Sequence, residues 1–435
     1  MTLPRPQGAP PAARATRALA AAVILLLPLA ALADEWSARP RISSRLVYDD
    51  NPRLWRDHTN DALGVVTEAA VDLGWSDGAS QLTFTPRLRH NEYGSDHPEL
   101  DSLDQYYTLS GTTSTDRAKF GLSASASFAT VLSTEDVVEE TGGRERRDRK
   151  VDRDSLSITP SFSYVLSERN TLGIDFTASD VDYQGPGYHD YQFYTANLSL
   201  GHALSERDTV SAIVYLSRYD RTMLESGTTL RVPFGGGSLL VPVRGDVDAT
   251  TDSIGAQAGY ERALTETLKG RVAAGVVRSE LSAEKARLPW GLGSVELVED
   301  STDWGQLLNL SLSEKLERMT WDLAASRTLS PTGDGVLVRR DEVSGGLTRE
   351  LAPRTSGRLR LVGFREDGLK SSVDYSDRKY ARLEAGVSYR LTPFWTLSGQ
   401  YQFRYEKYEY ADDGANSNAF WLSIGYQGDK WAVSR

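Results

Sequence analysis

Arginines fall on same-parity positions of the segments that open and close the chain: Arg41 and Arg45 near its start, and Arg358, Arg360, Arg382, Arg390 and Arg404 near its end. In an extended segment residues two apart share a face, so each run would present its guanidinium groups on one side. A wall of that kind attracts and steers anions; it breaks no bonds. Glu68, Asp72, Asp175 and Asp322 hold the corresponding face of other segments. The expectation is two lumen-lining walls of opposite sign with a transverse field between them, along which a polyanion could ride. The plainer alternative is a wide polar lumen whose charges pair locally.

A second pattern occurs twice. Arg231-Val-Pro233-Phe234-Gly-Gly-Gly-Ser-Leu239 and Arg287-Leu-Pro289-Trp290-Gly-Leu-Gly-Ser-Val295 share Arg-aliphatic-Pro-aromatic-Gly-x-Gly-Ser-aliphatic. Each reads as a hairpin with a glycine turn. Phe234 and Trp290 could stack on sugar rings or narrow a mouth, or the two hairpins pack on each other and extend a wall. No strand-to-helix context follows the glycines, so they form no nucleotide loop. Residues 132–153 segregate acids from a basic half, which reads as a solvated tract with possible phosphate contact. Asp49, Asp50, Asn51, Asp57 and Asp61 offer oxygen ligands without the spacing of a calcium loop, so a solvated loop is the expectation. The five histidines are scattered, and Asp96-His97 or His189-Asp190 lacks a matching nucleophile. The expectation is therefore no enzyme, with no catalytic, cofactor-binding or metal-binding residues and no cofactor.

The elements that would position these groups announce themselves by alternation. In 119–128, Phe120, Leu122, Ala124, Ala126 and Phe128 oppose Gly121, Ser123, Ser125 and Ser127; 155–166, 380–390 and 396–406 repeat the pattern. Period two over ten to fourteen residues predicts half-buried strands longer than the usual globular strand. Between them, tight links of the kind Leu166-Ser-Glu-Arg-Asn-Thr-Leu172 and Leu204-Ser-Glu-Arg-Asp-Thr-Val210 alternate with long charged or glycine-rich connections. That alternation belongs to transmembrane barrels. The fold class expected is all-β: a single antiparallel up-and-down transmembrane barrel of about 18 strands, 16 being the lower bound, over residues 34–435. A soluble sandwich or solenoid would explain the alternation but not so many apolar faces. Pro86 and Pro160 lie inside predicted strands and suggest bulges, and Gln427-Gly-Asp-Lys430 resembles one more turn.

The first 33 residues carry Arg5, Arg14 and Arg17, an apolar run over 18–32, and Ala31-Leu-Ala33 before Asp34. This is the layout of a cleaved secretory signal. With 60 acidic against 49 basic residues and a net charge of −11, the chain excludes a nucleic-acid binder, which needs a basic surface. Absence of cysteine removes disulfides and thiol metal sites. The place predicted is a bacterial outer membrane, with membrane lipid and lipopolysaccharide as surroundings and polysaccharide or small solutes as partners.

Leu46-Val47-Tyr48-Asp49-Asp50-Asn51, a first strand ending in Tyr-x-Asp-Asn, together with the recurrent Leu-Ser-x-Arg-x-Thr-Leu turns, resembles the outer-membrane porins of the barrel-porin-2 type. That resemblance implies a conduit associated with exopolysaccharide and exosortase (PEP-CTERM) systems, and it brings no catalytic residues. The rivals are a general diffusion porin and a non-conducting structural or adhesive barrel.

Overall fold

The computed structural model describes residues 35–434 apart from 57–60, 96, 131–149, 186–187, 226, 235–236, 284, 290–293, 296–299, 333–336, 370–376 and 410–411. The expected signal segment and most of the charge-segregated tract lie outside these residues. Eighteen long strands follow in chain order: β1 (Glu35–Asp49), β2 (Ala62–Ser76), β3 (Ser80–Glu92), β4 (Ser102–Ser114), β5 (Ala118–Thr130) and β6 (Asp152–Ser167); then β7 (Asn170–Gln184), β8 (Tyr191–Ala203), β9 (Asp208–Leu224), β10 (Val247–Ala263), β11 (Leu268–Ala283) and β12 (Ser301–Lys315). The last six are β13 (Met319–Pro331), β14 (Leu337–Ala352), β15 (Thr355–Gly368), β16 (Arg378–Arg390), β17 (Trp395–Tyr408) and β18 (Ala415–Gln427). Each pairs antiparallel with its chain neighbours, and β1 pairs with both β2 and β18. The sheet therefore closes on itself. Eighteen strands at ~4.8 Å spacing and a tilt of ~40° enclose a bore about 35 Å across between backbones.

Paired residues share a face, and the two faces are inverted relative to a soluble protein. Leu63, Leu323, Val343 and Leu422 are each more than half exposed on the outside, while Glu366 and Arg378 are at most 3% exposed within. Apolar side chains facing out around a sheet without edges require lipid. Outward aromatics mark both margins of this band. Trp36, Tyr260, Trp321, Tyr389, Trp395 and Tyr426 lie toward the tight-turn end, and Tyr48, Trp304, Tyr405 and Phe420 toward the long-loop end. Such girdles sit where headgroups meet hydrocarbon.

The repeated turn sequence has a local cause. The Ser205 hydroxyl accepts the backbone N–H of Arg207 and Asp208 (both 3.1 Å), Thr265 that of Leu268 (3.0 Å), and Thr392 that of Trp395 (3.1 Å). A hydroxyl at one fixed offset thus folds each connection over its own amides.

Three expectations change. Pro86 and Pro160 cause no bulge: pairing skips beside them, between Ala70↔Arg87 and Leu73↔Phe84 and between Ile158↔Ala178 and Ser161↔Asp175, and resumes in unchanged register. A missing N–H breaks the ladder toward one neighbour only; the other side keeps Pro86↔Tyr107 and Leu122↔Pro160. Residues 428–430 are no turn. The chain continues along the same edge of β1, with Ala38↔Trp431 following Arg41↔Gln427, so three residues face two in a bulge. Gly428 donates its N–H to the Pro40 carbonyl there (2.9 Å), and Lys430 pairs with Glu35. Finally, Asp49, Asp50 and Asn51 are not a solvated loop, for reasons that belong to the site.

Candidate functional site: the lumen and its outer end

Register places every inward candidate. Arg41, Arg45, Glu68, Asp72, Asp175, Asp322, Arg358, Arg360, Arg382, Arg390 and Arg404 all stand on the face opposite the lipid-facing residues of their strands. The arrangement of opposing walls is corrected. Glu68 lies 3.3 Å from Arg89 and 3.8 Å from Arg87, and Asp72 lies 2.7 Å from Arg41. Closure puts β1–β3 beside β18, so these acids stand among arginines and neutralise them locally. Asp175 accepts the Asn197 amide at 2.7 Å, and Asp322 fills the space left by Gly346 on the next strand. Arg358 and Arg390 have no ion-pair partner among the described residues.

The upper lumen between β14 and β1 holds a buried network that sequence reading missed in part. Glu366, with no exposed surface, sits 3.6 Å from Arg340 and 3.9 Å from Arg378; Arg378 also meets Glu406 at 2.6 Å. Arg382 lies 3.3 Å from Glu384. The Arg340 guanidinium lies 3.8 Å over the Phe364 ring, which stacks on Tyr380 with centroids 4.9 Å apart. Alternation of Arg378, Tyr380, Arg382 and Glu384 was the signal that could have revealed it.

The Tyr48-Asp49-Asp50-Asn51 segment fastens the seam between first and last strands. Asp49, buried, accepts hydrogen bonds from Arg404 (2.5 Å), the Ser417 hydroxyl (2.7 Å) and the Asn51 amide N–H (2.9 Å). Asp50 accepts the Asn418 backbone and side-chain N–H at 2.7 and 2.8 Å. Asn51 binds both backbone groups of Trp55 and the Asn416 carbonyl, each at 2.9 Å. The loop so anchored turns inward. Leu54, at φ 51°, is buried against Tyr380, Ala415 and Phe364. Asp57 lies outside the described residues.

Loops cross the outer end elsewhere too. Val151, Val181, Tyr183, Tyr191 and Tyr219 on one arc pack with Leu337 and Leu369 at the ends of β14 and β15, and the Tyr219 hydroxyl reaches the Thr332 carbonyl at 3.4 Å. The repeated hairpins pack together. Thr229–Phe234 pairs with Gly237–Pro242, Ala286–Arg287 with Ser294–Val295, Leu230 joins Val243, Val247 and Ala286 in one cluster, and Arg244 N–H donates to the Arg287 carbonyl (3.0 Å). Pro289 lies in the second hairpin's described part, whereas Trp290 and the side chains of Pro233 and Phe234 lie outside the description.

The histidines considered for catalysis are tied to loops. His97 contacts the Asp61 carbonyl (3.0 Å) and Glu99 (3.3 Å), and His189 contacts the Thr222 carbonyl (3.2 Å). Burial raises the Glu99 carboxyl, but its own backbone hydrogen bond, His97 and Arg53 outweigh it and hold the group below the usual glutamate range. Burial pushes Asp190 up, against the hydrogen bond it accepts from the Tyr183 N–H. Asp96 lies outside the described residues. No cluster of metal-ligating residues occurs among those described.

No family model and no curated protein matches the chain. Solved structures that resemble it include Pseudomonas aeruginosa OpdO (11% identity, 92% of this chain and 98% of that one, TM-score 0.43) and Acinetobacter baumannii OccAB4 (8%, 92% and 99%, 0.42). BauA, the ferric preacinetobactin receptor of A. baumannii, is similar at 9% over 89% and 80%, with a TM-score of 0.44. These likenesses go no further than architecture. The chain's own closed sheet, apolar belt and paired girdles define an outer-membrane β-barrel.

Proposed function

We propose that this barrel is a porin-like conduit for polar solutes that favours anions and is narrowed at its outer mouth by inward-folded loops. One observation carries the reading. Ion pairs at mid-height face inward yet stay accessible, with Arg41 and Asp72 at 44% and 32% and Arg87 and Glu68 at 30% and 28%. Charges at membrane depth keep that exposure only against water, so the bore is wet. Inward arginines outnumber inward acids from β14 around to β3, and Arg358 and Arg390 face the bore unpaired by acids among the described residues.

Planar-bilayer recording tests this. Stepwise currents with an anion-selective reversal potential are expected, and Arg358→Ser/Arg390→Ser should move that potential toward cations. A folded barrel that passes no current supports the non-conducting structural role instead. The resemblance to barrel-porin-2 proteins adds acidic exopolysaccharide as a passenger. A deletion strain that secretes surface polysaccharide at the parental level removes that passenger and leaves the pore.

A further inference from the structure

The outside of the barrel carries a patch whose sign opposes that of the whole chain. Arg339 on β14, Arg365 on β15, Lys379 on β16 and Lys407 on β17 all point outward: Arg365 pairs with Lys379 and Lys379 with Lys407 in direct register, while Arg339 pairs with Asp367. Asp367 lies between the guanidinium groups, 3.1 Å from Arg339 and 2.6 Å from Arg365, and so holds both in place. Asp377 also approaches Arg365 at 3.6 Å, and Asp341, opposite Arg365 in register, is taken by Arg327 at 2.5 Å, so five outward cations stand against three carboxylates. The Arg365 side chain nevertheless remains 54% exposed. Lys379 has no ion-pair partner among the described residues. Among the described residues Lys407 reaches only the Asp412 carbonyl, at 2.8 Å.

Height selects what these cations meet. From Trp395 in the lower girdle to Lys407, β17 climbs about 30 Å at ~3.3 Å per residue and a tilt of ~40°. From Tyr389 to Lys379, β16 climbs about 25 Å on the same basis, the height of the apolar band. Below the patch the same faces carry Leu361, Leu383, Phe403 and Tyr405. The cations thus begin where hydrocarbon ends. Across four strands they span roughly 15 Å, which is the reach of a disaccharide bearing a phosphate at each end.

We propose that this patch binds the diphosphorylated glycolipid headgroup of the outer leaflet, a lipid-A-type ligand. Two guanidiniums braced by a carboxylate would clamp one phosphate, as arginine pairs do, and the two ammonium groups would meet the other. Acyl chains would lie along the leucine face beneath. The inference rests on the outer-membrane placement and is independent of conduction. A barrel that binds the lipid but passes no current keeps this site, and one that conducts without binding loses only this site.

The test is native mass spectrometry of the refolded full chain in detergent, mixed with equimolar bisphosphoryl lipid A, monophosphoryl lipid A and phosphatidylglycerol. Wild type is expected to retain the bisphosphoryl form about tenfold better than either competitor, and Arg365→Gln/Lys379→Gln/Lys407→Gln to lose that preference. Lys379→Gln/Lys407→Gln leaves the Arg339–Asp367–Arg365 group intact and should lose about threefold, which decides the matter if the triple variant fails to show a folded band on unheated gels. The site is overturned if the double variant retains lipid A as wild type does, if phosphatidylglycerol competes equally, or if inorganic pyrophosphate at millimolar concentration displaces the lipid.

Discussion

Replacing Arg404 by Met removes a charge while keeping most of the side-chain volume, and it strikes the seam that closes the barrel. Asp49 and Arg404 are only 10% and 8% exposed, so the substitution leaves a carboxylate buried beside an apolar group. Breaking a buried pair from one side costs about 3–5 kcal/mol. The Ser417 hydroxyl and Asn51 N–H still solvate Asp49, which places Arg404→Met at the lower end, near ~3 kcal/mol. Asp49→Asn should cost ~2 kcal/mol, and the double variant should fall short of additivity by at least ~1 kcal/mol. Arg41→Met is the control: its pair with Asp72 is open to water, and a loss below ~1 kcal/mol is expected. Urea titration of the barrel in phosphatidylcholine vesicles, followed through its nine tryptophans, measures all four. If Arg404→Met matches Arg41→Met, or if the two seam substitutions simply add, the latch does not exist as described.

Leu54→Gly should cost about 1–3 kcal/mol, because relief of the left-handed backbone, worth about 1–2, only partly offsets about 2–5 of lost burial, while single-channel conductance rises as the loop loses its inward anchor. Equal conductance in both proteins would refute the inward placement of that loop. Glu99 is held below its ordinary range, so its clasp on Arg53 and His97 contributes stability above the unfolded value of 4.5, lost as pH falls through the lowered folded value. Relative to intrinsic rates, the exchange protection of the Glu99, Leu100 and Asp101 amides should therefore fall as pH drops below 4.5, and Glu99→Gln should abolish that fall. A Cβ on Gly428 would lie 2.9 Å from the Pro40 Cγ, whereas one on Gly399 meets nothing within 4 Å. Gly428→Val should thus reduce refolding yield and Gly399→Ala should not; equal yields would count against the tight fit of the bulge.

Much of this architecture was readable because one periodicity answers to one boundary. Alternation at Phe120–Phe128 or Ala381–Tyr389 records which side chains meet lipid, and parity alone then assigns Arg358 and Arg382 to the interior. Partners were not readable in the same way. Which acid meets which arginine depends on closure, which sets Asp49 beside a residue 355 positions away. The same fact hid the latch, since Asp-Asp-Asn reads as a polar loop until the last strand arrives to satisfy it. Gly428-Asp429-Lys430 misled for a chemical reason: residues that favour turns also favour bulges, and only the pairing beyond them distinguishes the two.

The bulge has a further consequence. In β18 the residues turned to the membrane are even-numbered, as in Phe420, Leu422, Ile424 and Tyr426, but the surplus residue hands that role to odd numbers, Trp431 and Val433. Deleting a single residue from 428–430 would restore strict two-for-two matching, keep Trp431 opposite Ala38 and leave indole and valine in the bilayer, whereas deleting two would turn the tail inside out and steer both into the aqueous bore.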